Sequence, residues 1–263
     1  TMDVIKILDK KVAEKIAAGE VVQDPASVVK ELCENSIDAK AKNITIEIVS
    51  GGTELIKITD DGIGMSFNDA KTAFLRHATS KITTEADLNK AYTLGFRGEA
   101  LCSIAAVSKV ALYTKQREAE SGIEIKINGS EPVYEDICYG KDGTVITVSD
   151  LFYNVPARKK FLKSEASEAA AVSLYVEKLA LSHPEISFKL IRNQKEVFRT
   201  NGDGVLKNAV TELFSKEFTD SLIEIEHKDP NEFIKIRGLI AKPVYSRANR
   251  RLQSFFVNQR TIV

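Results

Sequence analysis

The segment Lys30-Glu31-Leu32-Cys33-Glu34-Asn35-Ser36-Ile37-Asp38-Ala39 reads as a helix, with Val28, Val29, Leu32 and Ile37 available to a core. Glu31, Asn35 and Asp38 fall at i, i+4 and i+7 and share one stripe. A carboxylate one turn from a carboxamide suits hydrolysis of a metal-bound phosphate. The carboxylate orients and deprotonates water, while the amide oxygen ligates a hard cation. Any solvated helix face presents a similar polar stripe, so this segment takes its meaning from what surrounds it.

Working outward, the strand Leu55 to Thr59 runs into Asp60-Asp61-Gly62-Ile63-Gly64-Met65. Its two glycines permit unusual φ angles and let backbone approach a flat ligand. A carboxylate at a strand end can accept a hydrogen bond from an exocyclic amine. A calcium loop does not fit, because no acidic residue follows at the required later positions; a plain turn does. Beyond it, Thr79-Ser80-Lys81 supplies two hydroxyls and a lysine. Gly95-Phe96-Arg97-Gly98-Glu99-Ala100-Leu101 is a Gly-x-x-Gly loop opening a helix, whose N-terminus is a natural phosphate seat. The sequence holds neither a P-loop nor a Gly-x-Gly-x-x-Gly fingerprint, so a nucleotide would bind by another route.

Helical spacing appears at Val12 to Ala18, Ser27 to Ile37, Asp69 to Arg76, Gly98 to Ala106, Glu168 to Ser182 and Gly204 to Phe214. Strand-like runs fall at Asn43 to Val49, Leu55 to Thr59, Val107 to Thr114, Gly122 to Ile127, Pro132 to Tyr139 and Thr144 to Val148. Further runs are Ile186 to Ile191, Glu196 to Thr200, Leu222 to Glu226, Phe233 to Ala241 and Leu252 to Asn258. Several strands succeed one another through turns such as Asn128-Gly129 and Asp142-Gly143. The sheet is therefore mixed, and the class is α+β: one sheet covered by helices. The turn cluster Asn201-Gly202-Asp203-Gly204 marks the best domain break.

With 43% hydrophobic and 28% charged residues in 263, the disordered class is excluded. No apolar run approaches the roughly 18 residues of a membrane span, and no signal-peptide pattern opens the chain. Thr1 ahead of Met2 is set aside as an added residue. Cys33, Cys102 and Cys138 have no paired spacing, and His77, His183 and His227 are scattered singly, which argues against disulfide and zinc frameworks. The net charge of zero hides a division. Residues 1 to 150 carry 18 Lys/Arg against 24 Asp/Glu, and residues 151 to 263 carry 19 against 13. From Phe233 to Val263 there are seven basic residues and no acidic one, which suits a phosphate-backbone partner.

Six stretches in order then carry a resemblance: Ala17 to Val22, Glu31 to Ala39, Asp60 to Met65, His77 to Lys81, Gly95 to Leu101, and Leu151-Phe152-Tyr153-Asn154-Val155-Pro156-Ala157-Arg158-Lys159-Lys160-Phe161-Leu162. They resemble successive motifs of the MutL family of DNA mismatch-repair proteins. The resemblance implies a GHKL (Bergerat-type) α/β sandwich over residues 1–203, followed by the first part of an S5-like second domain over 204–263. It implies ATP and Mg2+ as ligands, with Glu31 as general base, Asn35 as magnesium ligand and Asp60 as partner of the adenine amine. Gly62 and Gly64 become the nucleotide-facing turn, flanked by Asp38, Ala39 and Met65, with Thr144 near the adenine. Thr79, Ser80, Lys81, Gly95, Phe96, Arg97, Gly98, Glu99, Ala100 and Leu101 become a lid over the phosphates. In the family, a lysine reaching the γ-phosphate lies on a strand beyond Val263.

The same resemblance implies a switch: ATP orders the lid and the segment Ile5 to Val22, two N-terminal regions associate, and hydrolysis releases them. Implied partners are a MutS-type mismatch sensor, a downstream nuclease or helicase, and a second identical or paralogous chain. Weak, sequence-independent DNA contact falls to Lys242, Arg247, Arg250, Arg251 and Arg260. The location would be cytoplasmic or nucleoid in a bacterium and nuclear in a eukaryote. Two alternatives stand beside it: a nucleotide-gated interaction module without significant turnover, and the ATPase module of another GHKL protein. The latter has no reason to carry the Phe152 to Leu162 motif.

Overall fold

The computed structural model describes residues 8–79, 98–229, 234–246, 248, 250 and 252–262. Its centre is an eight-stranded sheet. Strands β1 (Asn43–Val49), β2 (Leu55–Asp60), β3 (Lys109–Lys115), β4 (Gly122–Asn128), β5 (Glu131–Cys138), β6 (Gly143–Ser149), β7 (Ser187–Arg192) and β8 (Lys195–Arg199) lie in the order β5-β4-β3-β6-β2-β1-β7-β8. All neighbours are antiparallel except β1 and β7. The mixed sheet expected from the strand succession is thus present.

Alternation decides which face is covered. Ile44, Ile46, Ile48, Ile56, Ile58, Val110, Leu112, Ile146, Val148, Phe188 and Leu190 are buried on one face, while their alternating neighbours are half-buried. On the buried face lie α2 (Pro25–Asp38), α4 (Ala100–Ala106) and α6 (Glu165–Ser182). They contribute Val28, Val29, Leu32, Ile104, Val172 and Val176 to one continuous core. Each such side chain contributes roughly 1.5–3 kcal/mol. The opposite face carries ion pairs such as Lys57–Glu47 at 2.9 Å and Lys189–Glu196 at 3.1 Å.

Helix α2 starts at Pro25, two residues ahead of the expected Ser27. Asp24 caps the Ser27 N–H at 2.7 Å, the Ser27 hydroxyl answers the Asp24 N–H at 3.1 Å, and Pro25 occupies the first turn. Such a cap contributes on the order of 1 kcal/mol. Helix α3 (Phe67–Thr72) begins at Ser66 and stops before the expected Arg76. Two short helices that periodicity does not disclose, α5 (Pro156–Phe161) and α8 (Lys216–Asp220), complete the set with α1 (Lys10–Val21) and α7 (Leu206–Leu213).

Turn chemistry differs from expectation at two hairpins. Between β4 and β5 the turn is Gly129-Ser130, one residue later than Asn128-Gly129, with both φ angles positive at 57° and 73°. Of the run Leu252 to Asn258 only β11 (Phe255–Val257) forms a strand; an Asn258-Gln259 turn at φ 49° and 66° then leads into β12 (Arg260–Ile262), beyond the run. Asn193-Gln194 turns β7 into β8 in the same way, at 48° and 65°. Glutamine rarely adopts this conformation, so the dipeptide gives no hairpin signal in sequence. Beyond Gly204, β9 (Leu222–Lys228) pairs with β10 (Lys235–Ala241), and both hairpins lie outside the large sheet.

Helix α1 rests on α4 and is held by the Leu151 to Leu162 motif. Arg158 Nη2 donates to the Ile16 carbonyl at 3.3 Å, and Lys15 Nζ donates to the Asn154 carbonyl at 3.4 Å. The guanidinium lies directly over Gly19, where a Cβ would meet Nη2 at 1.8 Å. We predict that Arg158→Ala speeds amide exchange across 10–22 by about tenfold, the loss of one charged hydrogen bond, and leaves β1 and β2 unchanged. Equal protection in both proteins would refute the attachment.

Candidate functional site

The sheet register brings three side chains into a row at one end of the covered face. Asp60 on β2 lies opposite Thr144 on β6, and Thr144 lies opposite Thr114 on β3. All three are buried. Asp60 Oδ2 accepts the Ser36 hydroxyl of α2 at 2.7 Å, and Oδ1 accepts the Gly62 N–H at 2.9 Å. Burial raises the Asp60 carboxyl above its ordinary value, opposed by the Ser36 and Gly62 hydrogen bonds. Asp61 does different work. Its Oδ1 accepts the Lys42 and Asn43 backbone N–H groups at 2.7 and 2.8 Å, and Oδ2 accepts the Asn43 amide at 2.8 Å. Partial burial works against these bonds, which still hold Asp61 below its ordinary value.

The two glycines of the Gly62 to Met65 turn pack with no room for a side chain. A Cβ on Gly62 would meet the Ala39 carbonyl at 2.8 Å, and one on Gly64, at φ +67°, would meet the Lys115 carbonyl at 2.1 Å. Both positions demand glycine, one by space and one by conformation as well. The turn thus runs between Ala39, at the end of α2, and the β3 end.

Glu31, Asn35 and Asp38 are all half-buried on α2, the helix that Ser36 ties to Asp60. Glu34, in contrast, is buried and accepts the Tyr175 hydroxyl of α6 at 3.1 Å. Burial pushes its carboxyl up to about 7, aided by Glu31 and Asp38 and opposed by Lys30 and the Tyr175 bond. Burial likewise raises the Cys33 thiol and the Tyr175 phenol.

The lid motifs enter the described residues at their outer ends only. Ser80, Lys81, Gly95, Phe96 and Arg97 lie outside them. The two ends meet: at φ +63°, Gly98 packs on Ala78 so closely that a Cβ would fall 2.7 Å from its carbonyl. His77 Nδ1 also lies 3.5 Å from Glu99 Oε1. Thr79, Glu99, Ala100 and Leu101 therefore stand around one junction, and α4 starts there without a side-chain cap. Lys242, Arg250 and Arg260 are exposed; Arg247 and Arg251 lie outside the described residues. Ser36, Thr114 and Tyr175 are site neighbours that the sequence reading missed, because each joins the site only through tertiary packing. Among the described residues no group of three His, Cys, Asp or Glu side chains could hold a metal ion.

Two family descriptions match the chain: "Histidine kinase-, DNA gyrase B-, and HSP90-like ATPase" over residues 23–138, and "DNA mismatch repair protein, C-terminal domain" over 210–263. The fold is therefore that of the GHKL ATPases, as the resemblance implied. The MutL protein of Agathobacter rectalis is 47% identical over 258 residues, 98% of this chain and 40% of its own length. That of Clostridium beijerinckii is 50% identical over 98% and 39%. Among solved structures, the Aquifex aeolicus MutL ATPase domain complexed with ADP superposes with a TM-score of 0.70 at 30% identity, covering 92% of this chain and 84% of that one. The N-terminal domain of a DNA repair protein reaches 0.80 at 25% identity, covering 95% and 78%. The chain belongs to the MutL family of DNA mismatch-repair proteins. It spans about two fifths of the length of the curated relatives it matches.

The raised Glu34 carboxyl makes stability depend on pH. A folded pKa of about 7 against an ordinary 4.5 means that its contribution is complete below 4.5 and is lost as pH rises through 7. The stability difference between parent and Glu34→Gln should therefore shift against the parent by roughly 2–3 kcal/mol from pH 4.5 to 7.5, read by urea unfolding. A difference that stays constant over that range would contradict it. Gly64→Ala should cost more than about 3 kcal/mol, because the clash is with backbone.

Proposed function

We propose that this chain binds ATP with Mg2+ between α2 and the sheet and hydrolyses it slowly, as a conformational switch in DNA mismatch repair. The observation that carries this reading is Asp60: a buried acceptor at the end of β2, aimed by the Gly62 N–H and by Ser36 of α2, the helix that also bears Glu31 and Asn35. Asp60 accepts the adenine amine, beside Thr144. Gly62, Gly64 and Met65, with Asp38 and Ala39, form the wall against which the nucleoside lies. Glu31 orients the attacking water and takes its proton. Asn35 offers one hard oxygen to Mg2+, which neutralises phosphate charge when bound. A single protein ligand fits an ion that keeps waters and substrate phosphates for its remaining positions.

The lid is Thr79, Ser80 and Lys81 with Gly95 to Leu101, whose outer ends join at Gly98 and Ala78. Backbone N–H groups of its glycine-bearing loop hold the phosphates. The nucleotide domain occupies 1–203, and 204–263 begins a second domain that contacts DNA phosphates through Lys242, Arg247, Arg250, Arg251 and Arg260. ATP-dependent pairing of two N-terminal regions then couples a MutS-type sensor to a downstream nuclease or helicase. Among the described residues no helix is long and apolar enough to cross a membrane.

Calorimetric titration with a non-hydrolysable ATP analogue and Mg2+ tests the reading. The parent should bind one equivalent, and Asp60→Asn should weaken binding at least about tenfold by removing the charged acceptor. Glu31→Ala should keep affinity and lose turnover, whereas Asn35→Ala should lose the magnesium dependence of both. Unchanged affinity in a folded Asp60→Asn protein would sink the site assignment. Absence of turnover in the parent would favour a nucleotide-gated binding module instead.

A further inference from the structure

Thr114 belongs to none of the sequence motifs, yet it is fully buried and bonded to Met65, Gly143 and Thr144 at the base end of the site. Its Oγ1 accepts the Met65 N–H at 2.9 Å, lies 3.2 Å from the Gly143 carbonyl and lies 3.1 Å from Thr144 Oγ1. It thereby fastens the Gly62 to Met65 turn to β3, and β3 to the start of β6, at one oxygen. The neighbouring Gly64 packs on the Lys115 carbonyl, the next residue of the same strand. The turn therefore has two successive anchors on β3, and only Thr114 is a side chain.

A threonine hydroxyl has one proton and two lone pairs. Met65 takes one lone pair, which leaves two arrangements. If Thr114 donates to the Gly143 carbonyl, its second lone pair accepts the Thr144 proton, and Thr144 offers a ligand only lone pairs. If Thr114 donates to Thr144 Oγ1 instead, the Thr144 proton is released to face a ligand. Asp60, directly across the β2–β6 register from Thr144, accepts and cannot donate when ionised. The second arrangement makes the pair an acceptor beside a donor.

Adenine presents the complement on its pairing edge, a 6-amino donor beside the N1 acceptor. Guanine presents the reverse, an O6 acceptor beside an N1–H donor. Resting on the nucleotide reading above, we propose that Thr114 is a positioning and specificity-determining residue. It clamps the Gly62 to Met65 turn and orients the Thr144 hydroxyl so that Asp60 and Thr144 read an adenine edge, directly or through one water. Thr114 itself need not touch the base. A guanine would set its O6 lone pairs against the Asp60 carboxylate and leave its N1–H facing a donor, and such mismatched buried polar groups are what discriminates between ligands of like shape.

The test is the affinity of non-hydrolysable ATP and GTP analogues for the parent, Thr114→Val and Thr114→Ser, read by calorimetry, with amide exchange at Met65 in the nucleotide-free proteins. Thr114→Val keeps the shape and removes the hydroxyl. It should weaken ATP-analogue binding about tenfold, reduce the preference for adenine over guanine by a similar factor, and speed Met65 exchange. Thr114→Ser keeps the hydroxyl and should retain both preference and protection. Thr114→Val that folds with parental preference and parental Met65 exchange would overturn the assignment. So would Thr114→Ser that loses preference, since a methyl group would then be the cause. If Thr114→Val does not fold, the serine variant and Met65 exchange still decide. Failure of the parent to bind either analogue would remove the nucleotide reading itself, whereas binding that depends on Asp60 but not on Thr114 would refute this inference alone.

Discussion

The hydrogen bond between Ser36 and Asp60 joins the two layers of the molecule at the candidate site. A carboxylate withdrawn from water is costly unless donors replace the lost solvation. Asp60 recovers two, one from α2 and one from its own turn. Because the Ser36 donor is part of α2, the rotation of that helix about its axis is fixed relative to β2. Once Ser36 faces Asp60, Glu31 and Asn35 have no freedom to choose their direction: they follow from helical geometry. The apolar contacts of Val28, Val29 and Leu32 with the sheet supply most of the adhesion, but they tolerate small slips that a 2.7 Å bond does not.

Around that bond the site divides its polar work among similar residues. Asp60 and Asp61 are neighbours, yet one faces the covered interior and the other gathers three donors at the start of β1. Glu31 and Glu34 lie one turn apart, yet Glu34 is bonded to Tyr175 and burial raises its carboxyl to about 7. Glu34 is thereby withdrawn from water, whereas Glu31 is only half-buried. In each pair environment, not residue type, separates the two carboxylates.

The elements farther from the site form a chain of contacts leading away from it. The lid junction at Gly98 opens α4, α4 supports α1, and α1 is fastened by Arg158 and Asn154 from the Leu151 to Leu162 motif. That motif is itself tightly folded, with the fully buried Phe152 in a left-handed conformation at φ 61° and its N–H bonded to the Val107 carbonyl at 2.7 Å. The left-handed conformation costs on the order of 1–2 kcal/mol, which burial of the ring offsets. A rearrangement of the lid would therefore be felt first at α1, the element the proposed switch requires to move.

Local patterning in the sequence determined the sheet and its covering helices. Alternation at Asn43 to Val49 and helical spacing at Ser27 to Ile37 each act over a few residues and need no partner. It also determined the order of the motifs, and with them Glu31, Asn35, Asp60 and Thr144 as the residues worth watching. It could not disclose Ser36, Thr114 or Tyr175, which are ordinary buried residues until sheet register and helix packing set them beside Asp60, Thr144 and Glu34. Nor could it disclose β12 or α8, where an Asn-Gln turn and a five-residue helix leave no periodic signal. Tertiary structure decided which aspartate is buried, which glutamate has its carboxyl raised and what Arg158 holds. Those outcomes depend on burial and on donors that lie far away in sequence, from 18 residues for Asp61 and Asn43 to 142 for Arg158 and Ile16.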